Sequence, residues 1–184
     1  MKGKKIQFLT TAAVIAALYC ALTFVIAPLE FGVFQFRISE VLTVLPLFSP
    51  VAIPGLVIGC ALSNIIGAMT GINPIGLIDA IFGASATLLA SLCTYAVGKF
   101  RNKWPKFLLA PLPPVLFNGL IVGFELTWVS VPMGEAFGPT FFSYAASVAV
   151  GELVVCYLLG IPLMLVLFHK DSRGKYLYQE IFKN

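Results

Sequence analysis

The chain has 184 residues, 59% of them hydrophobic and only 11% charged, with a mean hydropathy of +0.97. Soluble domains carry about 25% charged residues, so this inventory cannot build a water-facing surface, and no large extramembrane domain fits. The net charge of +4 has to be accommodated at the rims of a membrane protein.

Leu, Ile, Val and Phe recur in long runs without period-two alternation, which excludes lipid-facing strands. Helices satisfy their own backbone hydrogen bonds and are the alternative. At roughly 20 apolar residues per span, the length predicts an all-α, polytopic bundle of six transmembrane helices forming one domain over 1–184.

Helix one is expected over 6–27, ending at Pro28. Its basic start resembles a signal peptide, but the apolar run is too long and lacks a small-residue cleavage site. A polar-aromatic connection, Glu30 to Arg37, leads to a short helix two over 38–49, with Pro46 inside it and Pro50 as the turn that follows. Helix three follows over 51–69, then a turn at Asn73-Pro74. Helix four is expected over 77–98, and helix five over 107–130, bent at Pro111, Pro113 and Pro114. Helix six covers 140–168, and a polar tail occupies 169–184.

Basic residues orient the bundle. Lys2, Lys4 and Lys5, then Lys99, Arg101, Lys103 and Lys106, then Lys170, Arg173, Lys175 and Lys183 fall on one side of a six-helix topology. Of the 12 basic residues only Arg37 falls opposite. The positive-inside rule makes both termini cytoplasmic, and the charge describes a membrane rim rather than a nucleic-acid patch. The four cysteines, Cys20, Cys60, Cys93 and Cys156, form no CxxC pair. They suggest neither disulfides nor a zinc site.

Glu40, Asp79, Glu125 and Glu152 lie in or at the ends of apolar segments. A charge at a helix centre costs roughly 2.5–3.5 kcal/mol on insertion scales, so such residues are paired or functional. The first three belong to the outer half, and Glu152 lies near the middle of helix six. Asn118 and Glu125 share a helix face two turns apart, with Trp128 one turn further on. Asn64 sits in the outer half of helix three, and Arg37 and Glu40 are close enough in sequence to touch. Converging, these faces make an outward-facing acidic pocket suited to a small, flat cation rich in donors. Phe34, Phe36, Trp128 and Tyr144 are candidates to stack on it.

Structural roles remain open for the same residues. Arg37 and Glu40 can form an interfacial ion pair, and Asp79 can serve as a helix N-terminal acid. Asn64, Asn118, Glu125 and Glu152 can bond helices together, and Trp128 and Tyr144 can anchor at the interface. On helix one, Ala13, Ala17 and Ala21, with Ala12 and Ala16 on the neighbouring stripe, form a small-residue seam for another helix, inside the protein or outside it.

Several segments carry a family resemblance. They are Phe36-Arg37-Ile38-Ser39-Glu40-Val41-Leu42-Thr43-Val44-Leu45-Pro46, Pro54 to Cys60 with Asn64, and Asp79-Ala80-Ile81-Phe82-Gly83 with Thr87 to Ala90. Asn118, Gly123-Phe124-Glu125-Leu126 and Gly151-Glu152-Leu153 complete the set. Together they resemble the substrate-binding S components of energy-coupling factor (ECF) transporters, specifically the QueT-type queuosine-precursor family. The resemblance implies a bacterial cell-membrane protein that captures aminomethyl-deazaguanine or a related 7-deazaguanine outside. It implies partners as well: a transmembrane T component docked on the alanine-rich first helix, and two cytoplasmic ATPases. The absence of a GxxxxGK[ST] phosphate loop agrees that energy is supplied elsewhere.

Competing readings are an S component for another solute such as a vitamin, or an ion-coupled carrier working alone. The carrier is disfavoured by the short chain without an inverted repeat. An enzyme has the least support: HExxH and GxSxG are absent. No cofactor is expected.

Overall fold

A computed structural model describes residues 2–30, 35–131, 136–170, 172 and 174–182. Among these, regular structure is helical apart from one bridge between Lys170 and Tyr176. The helices are α1 (Lys2–Val25), α2 (Ala27–Glu30), a 3₁₀ helix (Ile38–Leu47), α3 (Ala52–Met69), α4 (Leu77–Gly98), α5 (Lys103–Leu109), α6 (Leu112–Ser130), α7 (Phe137–Leu158), α8 (Gly160–Leu167) and α9 (Leu177–Ile181). Five stretches are long and apolar enough to span a bilayer: Gly3–Val25, Ala52–Met69, Leu77–Gly98, Lys103–Ser130 and Phe137–Leu167. The chain is an all-helical, polytopic membrane bundle.

Prolines divide the last two stretches. Pro162 has no N–H to give the Leu158 carbonyl, and α7 ends there; Pro113 leaves Leu109 without a donor, and α5 ends there. The expected helix five therefore starts earlier, at Lys103, and breaks at Ala110–Pro111. The tail carries α9, whose Tyr178 ring lies 5.0 Å from that of Phe48.

The short second helix is 3₁₀. Its ten residues rise about 2.0 Å each rather than 1.5 Å, so they reach about 20 Å instead of 15 Å. Pro46 removes one donor from an α-helical pattern, and the Thr43 hydroxyl donates to the Glu40 carbonyl at 2.5 Å. The helix runs alongside α4 in the same direction: Arg37 at its start meets Asp79, and the Leu47 carbonyl at its end lies against Gly98.

Around it, α1, α3, α4, α6 and α7 pack each against the next, and the 3₁₀ helix fills the inside of that curved layer. Eight of its ten residues are buried. Every polar group it carries must therefore find a partner inside the protein.

The α1–α3 contact depends on missing side chains. A Cβ on Gly59 would stand 2.7 Å from the Tyr19 Cβ, and one on Gly55 would stand 2.7 Å from the Ala12 carbonyl oxygen. Ala12 and Ala16, assigned above to an outer interface, face this contact and are each only 6% exposed. That part of the seam is corrected: it serves internal packing. Ala13, Ala17 and Ala21 lie on the exposed face of α1.

Overpacking a close contact costs about 1–3 kcal/mol, so Gly59→Val is expected to lower the thermal unfolding midpoint in detergent by several degrees. Ala17→Val, on the open face, is expected to leave it unchanged. Equal midpoints for both variants would contradict this packing.

Candidate functional site

The 3₁₀ helix and the strap before it bring the intramembrane polar residues together. Gly151 of α7 lets that strap pass. The Gln35 carbonyl lies against the Gly151 Cα, where a methyl group would overlap it. Arg37 then reaches across to α4, and its Nη2 pairs with Asp79 Oδ1 at 3.0 Å, both side chains almost fully buried. Asn73, in the turn between α3 and α4, donates to Asp79 Oδ2 at 2.8 Å, and Asn64 donates to the Asp79 carbonyl at 3.2 Å. The Asn73 side-chain oxygen in turn accepts from the Ile75 and Gly76 amides. Asp79 sits in the first turn of α4, where the helix dipole also favours a carboxylate.

Glu40 does not pair with Arg37. The Tyr19 hydroxyl of α1 donates to Glu40 Oε1 at 2.5 Å and the Thr87 hydroxyl of α4 donates to the same oxygen at 3.1 Å. Beyond it, Asn118 of α6 donates to Glu152 Oε1 of α7 at 3.0 Å, and the Cys156 thiol to Glu152 Oε2 at 3.5 Å. On the other side, Ser39 donates to Glu30 Oε1 at 2.6 Å. Glu125 is fully buried and close enough to Asp79 and Arg37 to feel their charges.

Arg37, Glu40, Asn64, Asp79, Asn118, Glu125 and Glu152, singled out from sequence, thus lie in one region. Trp128 does not join them. It is 57% exposed on the outer side of α6, its ring 6.1 Å from that of Phe82. Tyr144 packs against the apolar cluster of Ala86, Val122, Leu126 and Val148, and Phe36 lines a separate apolar groove. Phe34 lies outside the described residues.

Tyr19, Glu30, Ser39, Asn73, Thr87 and Cys156 complete the site and were not singled out. Asn73 carried a signal that a turn reading absorbed; Tyr19 looked like any aromatic in an apolar helix. Between Tyr19, Thr23, Glu30, Arg37, Cys60, Ser63 and Asn64 lies a gap too narrow to admit a water molecule.

Charge and hydrogen bonding are both unbalanced here. Glu30, Glu40, Asp79, Glu125 and Glu152, five of the chain's eight acids, are buried around one guanidinium. Taking each ion out of water costs several kcal/mol, and among the described residues only Asp79 has a cation in direct contact. Among the described residues, six acceptor atoms in or beside this cluster have no donor: Glu30 Oε2, Gln35 Oε1, Glu40 Oε2, Asn118 Oδ1, and both oxygens of Glu125. The Nε of Arg37 is an orphaned donor among them. Among the described residues this region is short of hydrogen-bond donors and of positive charge.

Fold and site define a multi-pass membrane protein with a buried, acid-rich polar centre. The family model described as QueT transporter matches residues 9–169, and the chain belongs to that family. It is a bacterial cell-membrane transporter family. The queuosine precursor transporter QueT of Lactococcus lactis subsp. cremoris (strain MG1363) is 33% identical over 107 residues, covering 56% of this chain and 59% of that protein. The match thus spans less than two thirds of the relative's length. No solved structure matches the chain.

Glu30 lies beyond the first spanning helix, and burial pushes its carboxyl up to about 7, against the pull of the Ser39 hydroxyl and Arg37. The folded chain therefore holds a proton, between the ordinary value of 4.5 and about 7, that the unfolded chain has released. Stability is expected to fall as pH rises through that window and to level off above it. Unfolding in detergent at about pH 5 and about pH 8 should differ by up to roughly 3 kcal/mol in favour of the acid side. In Glu30→Gln the difference should shrink, and an unchanged difference would contradict the assignment.

Proposed function

We propose that this chain is the S component of an ECF importer and that its buried acidic cluster captures a queuosine precursor, aminomethyl-deazaguanine or a related 7-deazaguanine. The observation that carries the reading is the character of the orphaned atoms in the cluster: six acceptors against one donor, Arg37 Nε, and one hydroxyl, that of Thr23. A guanine-like edge offers paired N–H donors and a ring carbonyl, and the aminomethyl group offers an ammonium. The two free oxygens of Glu125 suit the paired donors, since a carboxylate accepts two parallel N–H groups well. Glu40 Oε2 and Glu30 Oε2 suit the ammonium, and Arg37 Nε the ring carbonyl. Asp79 and Glu152 are engaged with Arg37, Asn73 and Asn118, so they position the site rather than take the solute. The name of the Lactococcus lactis relative supports the same solute class.

In this reading the closed cluster opens to the outside, takes the solute, and reorients when two ATPases, joined to it through a T component, hydrolyse ATP. The exposed stripe of Ala13, Ala17 and Ala21 on α1 suits close approach of a partner helix. Energy from separate subunits also agrees with a sequence that carries no phosphate loop.

Amide variants test the solute assignment. A charge-assisted hydrogen bond contributes about 1.5–3 kcal/mol, so Glu125→Gln is expected to weaken aminomethyl-deazaguanine binding by roughly 10- to 150-fold. Glu40→Gln should weaken aminomethyl-deazaguanine more than a deazaguanine without the ammonium, and Asp79→Asn should act less strongly, through a loosened Arg37. Unchanged affinity in all of these, measured on folded protein, would overturn the proposal.

A further inference from the structure

A second cluster lies at the opposite end of the bundle, where α5 and α8 meet through the rings of Phe107 and Phe168, 5.6 Å apart. Lys103, at the start of α5, donates to the Tyr176 hydroxyl at 3.0 Å, and its ammonium stands 4.5 Å from the centre of that ring. Lys170, just past α8, places its ammonium 5.1 Å from the same ring. Contacts between described residues hold this arrangement: the Leu177 amide donates to the His169 carbonyl at 3.0 Å, Lys170 and Tyr176 form a bridge, and Gly174 takes a positive φ of 77°. Two like charges are thereby held on one tyrosine, and among the described residues neither is paired with a carboxylate.

The surface next to the two lysines is strongly apolar. Trp104 is 86% exposed and Leu108 65%, one helical turn apart on α5; on α8, Leu165 and Val166 are 57% and 55% exposed. Trp104 and Leu108 follow Lys103 on α5, and Lys170 lies three residues past the end of α8, so an exposed apolar stretch adjoins each ammonium along the chain. A tryptophan at such a boundary marks the headgroup level of a bilayer. A soluble anion would use the lysines and leave the apolar faces unused. A phospholipid uses both.

We propose that Lys103, Lys170 and Tyr176, with the flanking faces of α5 and α8, form a binding site for an anionic phospholipid. The phosphate bridges the two ammonium groups, Tyr176 donates its hydroxyl to it, and the acyl chains lie along Trp104, Leu108, Leu165 and Val166. The two ammoniums also draw the Tyr176 hydroxyl below its usual pKa, which strengthens it as a donor. Attraction to an anionic surface is on the order of fivefold in affinity per lysine. The bound lipid adds to the Lys103–Tyr176 hydrogen bond that already ties α5 to the C-terminal segment.

The test is native mass spectrometry of the purified full chain after incubation with equimolar phosphatidylglycerol and phosphatidylcholine of identical chains. Wild type should retain phosphatidylglycerol by about fivefold or more, and K103Q/K170Q should lose that preference. K103R/K170R should keep it, which separates loss of charge from loss of fold, and K4Q/K5Q should keep it, which excludes a general effect of basic residues. Equal retention by wild type, or an unchanged preference in K103Q/K170Q, would overturn the proposal. So would displacement of the lipid by glycerol phosphate alone, since the site would then recognise a soluble phosphate.

Discussion

The buried pair of Arg37 and Asp79 ties together parts of the chain that are distant in sequence. It joins the strap before the 3₁₀ helix to the start of α4, and through Asn73 and Asn64 it reaches the α3–α4 turn and α3 itself. A buried ion pair is weak support for stability, because desolvation offsets much of its attraction. Its effect is on arrangement. With Arg37 spent on Asp79, the four other buried acids have no basic partner among the described residues, and in the proposed function that shortage is what the solute fills.

The 3₁₀ helix makes this arrangement possible. It occupies the centre of the bundle, so its polar groups cannot reach lipid or water, and it is stretched enough for ten residues to run beside much of α4. Its neighbours supply partners one at a time: Tyr19 from α1 and Thr87 from α4, both to Glu40. Long 3₁₀ runs are uncommon because their hydrogen bonds are poorer than those of an α-helix. A central helix of this kind can be repacked at less cost than a regular one. This helix links the strap and the acids at one end to the contact with Gly98 at the other.

Much of the site could be read in the sequence because ionisable residues stand out in apolar segments. That rule found Arg37, Glu40, Asp79, Glu125 and Glu152, and the amides Asn64 and Asn118 with them. It could not assign partners. Arg37 and Glu40 would be neighbours in an α-helix, but Arg37 is the residue before the 3₁₀ helix, with φ −84° and ψ 85°, and its side chain leaves toward α4. Trp128 was misplaced for a related reason. A spanning helix is apolar on the lipid side and on the packed side, so periodicity does not separate the two faces. The same ambiguity divided the alanine seam: Ala12 and Ala16 went to the glycines of α3, and Ala13, Ala17 and Ala21 did not. Pro113 was visible in the sequence as a bend, but not that one helix would end at Leu109 and another begin at Leu112.

The most direct measurement is calorimetric binding of aminomethyl-deazaguanine to the purified full chain in detergent, without ATP or partner subunits, beside guanine and riboflavin. A buried cluster short of donors and cations should bind aminomethyl-deazaguanine tightly, guanine more weakly for want of the ammonium, and riboflavin not at all. Equal binding of guanine and aminomethyl-deazaguanine, or no binding of either by folded protein, would contradict a cationic, donor-rich solute in this cluster.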